Sequence, residues 1–136
     1  KRVRKMLKMA NVSKKDFVFD VGFGDGRIIF TAINEFKAKA GGIEIEPIKF
    51  IAVKLYSILK KLTPDLKLGS VYNTDFSKAT VITIFMSSAT NKIIQEKFSK
   101  LKKGTKIVSY YWKFPDWKII KQDKDLQLYL YEIGKS

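Results

Sequence analysis

Apolar positions along the chain switch repeatedly between the helical spacing of three to four residues and the short β-branched or aromatic runs that are typical of buried strands. This alternation predicts an α/β domain with a mainly parallel sheet. The predicted elements are a helix at about 1–11, strands at 17–21, 41–45, 66–68, 80–86 and 106–111, helices at 27–36, 47–62 and 91–101, and a two-stranded hairpin within 117–133.

Two of the predicted helices carry apolar stripes that indicate how they pack. We expect the first helix to lie against the sheet with its basic side in water, and we expect the longer stripe of the helix that begins at Pro47 to be buried in the core. The first stripe consists of Val3, Met6, Leu7 and Ala10, and the second of Ile48, Ile51, Ala52, Leu55, Ile58, Leu59 and Leu62.

Length and composition restrict the chemistry. With 136 residues, the chain is expected to form a single domain over 1–136 around its own hydrophobic core. It contains no cysteine, which excludes disulfides and cysteine nucleophiles, and no histidine, which removes the commonest general base. Because thiolate and imidazole metal ligands are also absent, we expect no metal site. No apolar run approaches the ~20 residues of a membrane span and no signal peptide is visible, so we expect a cytoplasmic protein without a membrane partner.

The most informative segment is a glycine-rich turn between the first strand and the second helix. Phe17–Val21 has strand composition, three glycines follow at alternate positions, and the apolar spacing from Arg27 onward is helical. Glycines allow backbone conformations that are closed to other residues and let a ligand approach the main chain. Because the helix start also offers unpaired N–H groups, the turn predicts a ligand site at the carboxyl edge of a parallel sheet.

The spacing Asp20-x-Gly22-x-Gly24-x-Gly26 resembles motif I of the class I S-adenosylmethionine (SAM) methyltransferases, whereas a dinucleotide fingerprint reads G-x-G-x-x-G. The resemblance implies SAM as cofactor and S-adenosylhomocysteine as product. Glu44, at the end of the second strand, is the expected acceptor for two ribose hydroxyls. Glu46 also fits the alternation, but because Pro47 is expected to open the next helix, Glu46 is expected to be a first-turn or capping residue of that helix. The expected cofactor-binding residues are Asp20, Gly22, Phe23, Gly24, Asp25, Gly26, Glu44, Ile45, Ser70, Val71 and Phe85. For Ser70, the role of an ordinary turn serine is an equal alternative.

Segments spread over nearly the whole chain carry a narrower resemblance: Val3–Leu7, Asp20–Ile29, Gly42–Glu46, Ala79–Thr83 and Leu128–Tyr131. Together they resemble the small archaeal protein-lysine methyltransferases, which are related to mitochondrial lysine methyltransferases and to the Dot1-like histone enzymes. The resemblance implies a doubly wound, mostly parallel, seven-stranded Rossmann-like sheet of order 3-2-1-4-5-7-6 with a C-terminal antiparallel hairpin. It also implies methylation of lysine side chains with broad substrate choice, and small basic chromatin proteins among the acceptors.

The chain departs from this family pattern in three places. Phe23 stands where the family usually has cysteine, and Tyr110–Trp112 follow Ser109 where the family has histidine and a charged residue. The sequence also begins inside the first helix, without the segment that is expected to fold over the site. For the acceptor amine we expect an apolar channel in which Tyr110 orients the amine, with packing at the sheet edge as the alternative role of Tyr110 and Trp112. The channel is expected to be lined by Phe85, Met86, Ser87, Tyr110 and Trp112.

The charge of the chain leaves other functions open. With 27 basic and 13 acidic residues, the net charge of +14 predicts attraction to polyanions, so an RNA or DNA methyltransferase is an alternative. Against it, the lysines are scattered, and the fourth strand is not followed by the Pro-Pro-aromatic motif of enzymes that methylate base amines. A non-catalytic SAM-binding module is a further alternative, and a nicotinamide-binding domain is disfavoured by the glycine spacing.

Overall fold

Seven strands form one sheet in the computed structural model, which describes residues 1–135. The helices are α1 (Arg2–Met9), α2 (Arg27–Phe36), α3 (Pro47–Leu59) and α4 (Ser88–Ser99). The strands are β1 (Phe17–Val21), β2 (Lys39–Glu44), β3 (Asp65–Leu68), β4 (Val81–Ile84), β5 (Lys106–Tyr110), β6 (Lys121–Asp123) and β7 (Leu128–Glu132), and a 3₁₀ turn at Val71–Asn73 lies between β3 and β4. None of these helices is long and apolar enough to cross a membrane.

The strand order is β3-β2-β1-β4-β5-β7-β6, which confirms the predicted fold. Every neighbouring pair among strands β1 to β5 is parallel, whereas β7 runs antiparallel to both β5 and β6. The carboxyl ends of the five parallel strands therefore lie at one edge of the sheet. In open α/β sheets this is the edge at which ligands bind.

Apolar layers cover both faces of the sheet. Because side chains alternate along a strand, neighbouring residues of the central strands contribute to opposite layers. Val18 and Val81 belong to the layer that includes residues of α1 and α2, while Phe19 and Ile82 belong to the layer that includes residues of α4. The two central strands β1 and β4 are thus covered on both sides, as expected for a doubly wound sheet.

Some element boundaries differ from the prediction. Strand β4 ends at Ile84, so Phe85 and Met86 leave the sheet at its carboxyl edge. The first strand of the hairpin is Lys121–Asp123, not the predicted run that begins at Trp117. Trp117 instead stacks on the Phe114 ring, with the ring centroids 4.5 Å apart. The apolar side chain of Trp117 thus takes part in an aromatic contact outside the strands, and it does not mark a strand.

Helix α3 packs against the rest of the chain with the face opposite to the predicted one. Val53 and Ser57 are buried, while Ile48 is 74% exposed and Leu59 is 79% exposed. The prediction that the apolar stripe of this helix lies in the core is therefore wrong. Spacing identifies an apolar face but not the direction in which it points. The inward side is the one that fits against the glycine turn, where a Cβ on Gly26 would lie only 3.1 Å from Val53 Cγ1.

Candidate active site

Predicted site residues from five strands meet along the carboxyl edge of the sheet. Glu44 and Tyr110 are the last residues of β2 and β5, and Asp20 lies one residue before the end of β1. Ser70 follows β3 by two residues, and Phe85 directly follows β4. Since the neighbouring strands are ordered β3-β2-β1-β4-β5, these residues form a row from Ser70, through Glu44, Asp20 and Phe85, to Tyr110.

The glycine turn lies at the middle of this row. Gly22, Gly24 and Gly26 have φ values of 72°, 57° and 80°, a region that side-chain-bearing residues rarely adopt. A Cβ at Gly26 would also lie 2.7 Å from the edge of the Phe30 ring, so this ring of α2 would have to move to admit a side chain there. At Gly24, by contrast, no atom of residues 1–135 other than those of Gly24 and its two chain neighbours lies within 4 Å of the Cβ position. The Cβ side of Gly24 is therefore open to a ligand.

Asp20 is a buried carboxylate that has no basic partner in the described part of the chain. It is 5% exposed, and Thr83 Oγ1 donates a hydrogen bond to its Oδ1 at 2.8 Å. None of the ion pairs within residues 1–135 includes Asp20. Burial is the main cause that raises its pKa to about 7; the charges of Glu44 and Asp25 also raise it, and the Thr83 hydrogen bond acts in the opposite direction. A cationic group of a ligand would supply the missing positive charge.

Glu44 is also buried, but backbone donors already contact its carboxylate. Oε1 accepts a hydrogen bond from the N–H of Gly24 at 2.8 Å, and Oε2 accepts one from the N–H of Glu46 at 3.1 Å. A carboxylate has about four acceptor positions, so both oxygens can still accept bonds from ligand hydroxyls. Glu44 thereby also fixes the glycine turn to β2, a role that the sequence reasoning missed. Glu46 caps α3 through the N–H groups of Ile48 and Lys49, as predicted.

A pocket of about 250 Å³ opens beside the glycine turn. Asp20 and Gly22 contribute to its lining, together with Phe85 and Tyr110, whose ring centroids are 4.6 Å apart. Arg2 also lines the pocket, and its guanidinium carbon lies 4.0 Å from the centroid of the Tyr110 ring. The sequence reasoning did not assign Arg2 to the site, because this contact joins distant parts of the chain. The pocket combines a carboxylate with an aromatic wall, an environment suited to a cation or an amine.

Two predicted serines at this edge serve as helix caps. Ser70 Oγ accepts a hydrogen bond from the N–H of Tyr72 at 3.2 Å, and Ser87 Oγ accepts one from the N–H of Thr90 at 3.1 Å. Caps of this kind stabilise a helix start by ~1 kcal/mol. The observed contact of Ser70 is thus that of a turn serine, although its hydroxyl proton is still available to a ligand. Val71, which follows Ser70, is buried.

Of the other predicted residues, some line the pocket and others lie outside its lining. Phe23 and Asp25 contribute to its lining, and Asp25 also accepts a hydrogen bond at 3.0 Å from the N–H of Arg27, the first residue of α2. Ile45 is 70% exposed and offers an apolar surface at the end of β2. Met86 places its Sδ 3.7 Å from the Cβ position of Gly22.

The turn that follows β5 places Trp112 in a different groove from Tyr110. It is not part of the lining of the pocket that contains Tyr110, and it lines a neighbouring open groove of about 590 Å³ together with Lys92. Buried Asn91 holds this turn, because its Nδ2 donates a hydrogen bond to the carbonyl of Trp112 at 3.0 Å. Residues 1–135 contain no group of three or more His, Cys, Asp or Glu side chains that could hold a metal ion.

Known proteins with similar sequences and structures are methyltransferases. The family model of the ANTKMT methyltransferase domain matches residues 20–121. A protein-lysine N-methyltransferase of Saccharolobus islandicus (strain REY15A) is 38% identical in an alignment that covers 99% of this chain and 90% of the relative. The crystal structure of an RNA methyltransferase from Salinibacter ruber in complex with S-adenosyl-L-homocysteine has a TM-score of 0.91 at 26% identity, with 98% of this chain and 91% of that chain covered.

A more distant structure shares the fold. The B. subtilis M1A22 tRNA methyltransferase TrmK has a TM-score of 0.74 at 17% identity, with coverage of 99% of this chain and 66% of that chain. The residues of the site fit SAM: Asp20 has no ion-pair partner among residues 1–135, Glu44 has free acceptor positions, and the Cβ side of Gly24 is open within the same residues. The chain belongs to the family of the ANTKMT methyltransferase domain, and it is a SAM-dependent methyltransferase.

Proposed function

We propose that this enzyme methylates the side-chain amines of lysine residues in proteins. The observation that carries the proposal is the 38% identity, over 99% of the chain, to a protein-lysine N-methyltransferase. The proposal extends to broad substrate choice, with small basic proteins such as chromatin proteins among the acceptors.

The cofactor side of the site is assigned to the buried carboxylates and the glycine turn. When bound, SAM supplies a methyl group that a positively charged sulfur has already activated. Asp20 would face the ammonium group, directly or through water, because it is a buried carboxylate with no basic partner among residues 1–135. Glu44 would accept hydrogen bonds from the ribose hydroxyls while it keeps its bond to the N–H of Gly24.

The acceptor side is assigned to the aromatic wall of the pocket. A lysine amine has to be neutral to react, although its pKa in water is about 10.4. Phe85 and Tyr110 would form an aromatic wall of the acceptor passage, and desolvation there, together with the positive charge of Arg2 on the Tyr110 ring, favours the neutral form of the amine. The hydroxyl of Tyr110 would orient the amine. Because holding two reactants close and aligned can supply roughly 7–11 kcal/mol, positioning is the main contribution required of these side chains.

RNA is the second candidate substrate. The structure from Salinibacter ruber, with a TM-score of 0.91, is described as an RNA methyltransferase, and the net charge of +14 attracts polyanions. The sequence identity is 26% to that protein and 38% to the lysine enzyme, so protein is the first candidate.

The two candidates can be tested in one experiment. The enzyme is incubated with methyl-labelled SAM, a mixture of small basic proteins and total RNA, and the product is divided between protease and nuclease treatment. We expect protease alone to release the label, and hydrolysis to yield methyl-lysine. Release by nuclease would favour RNA, and the absence of label with intact SAM binding would contradict both.

A pair of tyrosine variants tests the acceptor side. Tyr110→Ala should reduce methyl transfer at least tenfold and leave SAM affinity nearly unchanged. Tyr111→Ala is the matched control, because Tyr111 is a neighbouring, half-exposed aromatic residue outside the lining of the pocket, and it should retain activity. Equal activity of both variants would remove Tyr110 from the acceptor site.

A further inference from the structure

The outward side of α3 presents an apolar surface that the candidate active site does not explain. Its large aliphatic side chains are between 54% and 79% exposed. Their spacing of three and four residues places them in one stripe, on the side of the helix opposite to Val53 and Ser57. Single exposed aliphatic residues are ordinary, but a contiguous patch marks an interaction surface. This surface, called the α3 face, consists of Ile48, Ile51, Ala52, Leu55, Ile58 and Leu59.

We propose that the α3 face binds the α3 face of a second copy of the chain, so that two α3 helices pack antiparallel about a twofold axis. The exposed area of the α3 face is on the order of 600 Å², at the upper end of the patches found on monomers. An interface of standard size buries ~800 Å² per partner. Aliphatic stems of lysines beside the stripe can supply the difference.

The order of side-chain sizes along α3 favours a second copy over an unrelated flat surface. If Ile48 lies opposite the partner's Leu59, the same register places Ala52 opposite the partner's Leu55. Twofold symmetry repeats each contact, so each helix inserts a large side chain at the position where the other has a small one. Interlocking of this kind lets two helices approach to the 8–10 Å that is usual for packed helices.

The lysine charges beside the α3 face should make the stability of the dimer depend on salt. The helical spacing places Lys54 on one flank of the α3 face and Lys49 on the other, and both are exposed. In an antiparallel pair with twofold symmetry, each flank meets the same flank of the partner, so in the register above Lys54 approaches the partner's Lys54. Screening by salt should therefore strengthen the dimer. A polyanion or an anionic membrane bound through the same lysines would dissociate as salt rises.

Sedimentation equilibrium of the whole chain, over a range of micromolar concentrations at low and high salt, tests the proposal. We expect a species of twice the chain mass whose fraction rises with concentration and with salt. Leu55→Glu should raise the dissociation constant of the dimer by about 100-fold or more, because it places a charge at the centre of the interface. Ile93→Glu is the matched control: it makes the same change at a residue of α4 that is 61% exposed, and it should dimerise like the wild type.

A second variant separates interlocking from general stickiness. Ala52→Leu makes the α3 face more apolar, yet it fills the position that receives the partner's Leu55, so it should weaken the dimer at least tenfold. Circular dichroism and thermal melting check that each variant is folded. A wild-type chain that stays monomeric at every concentration and salt would overturn the proposal, as would a Leu55→Glu variant that dimerises normally. Salt-sensitive binding to vesicles of anionic phospholipid, lost in Leu55→Glu, would overturn it in favour of a membrane.

Discussion

Replacement of Asp20 by asparagine separates what this carboxylate contributes to binding from what it contributes to stability. Asparagine has nearly the same shape, and its side-chain oxygen can still accept the hydrogen bond that Thr83 Oγ1 donates at 2.8 Å. The substitution removes the negative charge, which is buried and lacks a basic partner within residues 1–135, and it replaces the second acceptor oxygen by an NH2 donor. We therefore expect Asp20→Asn to weaken SAM binding and, at neutral pH, to stabilise the ligand-free protein.

The expected gain in stability follows from the pKa of Asp20. Folding raises this pKa from 3.8 to about 7, so the folded state holds the proton more tightly than the unfolded state. The free energy of unfolding of the wild type should therefore fall as pH rises from about 4 to about 7, as far as this group is concerned. A shift of this size corresponds to at most ~4 kcal/mol. Asp20→Asn should be more stable than the wild type by up to that amount at neutral pH, and about equally stable near pH 4.

SAM affinity should depend on pH in the opposite sense. Only the ionised form of Asp20 can pair with a cationic group, so the affinity of the wild type should fall about tenfold for each pH unit below the pKa of about 7. At neutral pH, loss of a charged hydrogen-bond acceptor costs about 1.5–3 kcal/mol, which corresponds to roughly ten- to hundredfold weaker binding. The affinity of Asp20→Asn should be lower and nearly independent of pH from about 5 to about 7.5, a range that ends below the usual pKa of an α-amino group.

Titration calorimetry of SAM binding and urea denaturation of the ligand-free protein measure the two effects separately. Glu96→Gln is the matched control, because it removes one carboxylate from an exposed position on α4, and it should change neither quantity. Wild-type SAM affinity in Asp20→Asn would refute the proposed contact with the ammonium group. A less stable Asp20→Asn variant would refute the conclusion that the buried charge is unfavourable.

Two further substitutions test the glycine turn. Glu44→Gln should weaken SAM binding about ten- to hundredfold in calorimetry and speed hydrogen exchange at the amide of Gly24, because one of the two accepting oxygens is lost; unchanged affinity would remove Glu44 from the ribose site. Gly26→Ala should destabilise the protein by about 1–3 kcal/mol through backbone strain and by a further amount through the clash with α2. Gly104→Ala, with a φ of 94° but open space around the added Cβ among residues 1–135, should show the strain alone in the same urea denaturation, and equal losses would contradict the clash.

The features that the sequence predicts well are those that chain order and local spacing determine. The strand at Phe17–Val21 and the helix that begins at Arg27 have the bounds expected, because an apolar run, a glycine turn and a helical stripe are contiguous in sequence. The parallel order of the strands then brings Asp20, Glu44 and Tyr110 to one edge. That these three residues lie at the same edge follows from the topology of the sheet, although they are far apart in the chain.

The features that the sequence does not predict depend on contacts between distant parts of the chain. The direction of the α3 stripe is one example, since its spacing is the same whether Ile48 and Leu59 face the core or the solvent. The stacking of Arg2 on Tyr110 is another, because only the folded sheet brings the start of α1 to the end of β5. The hairpin is a third, since Trp117 packs on the Phe114 ring and does not lie in a strand.

The two carboxylates of the site differ in what the fold gains from them. Glu44 accepts hydrogen bonds from two backbone N–H groups, so its presence is explained in part by the structure of the glycine turn. Asp20 accepts a hydrogen bond from Thr83, yet its raised pKa shows that the folded state disfavours its charge. Stability alone would therefore favour a neutral residue at position 20, and a requirement of binding explains the carboxylate better. For this reason Asp20→Asn and Glu44→Gln should both weaken SAM binding, while only Asp20→Asn should stabilise the protein.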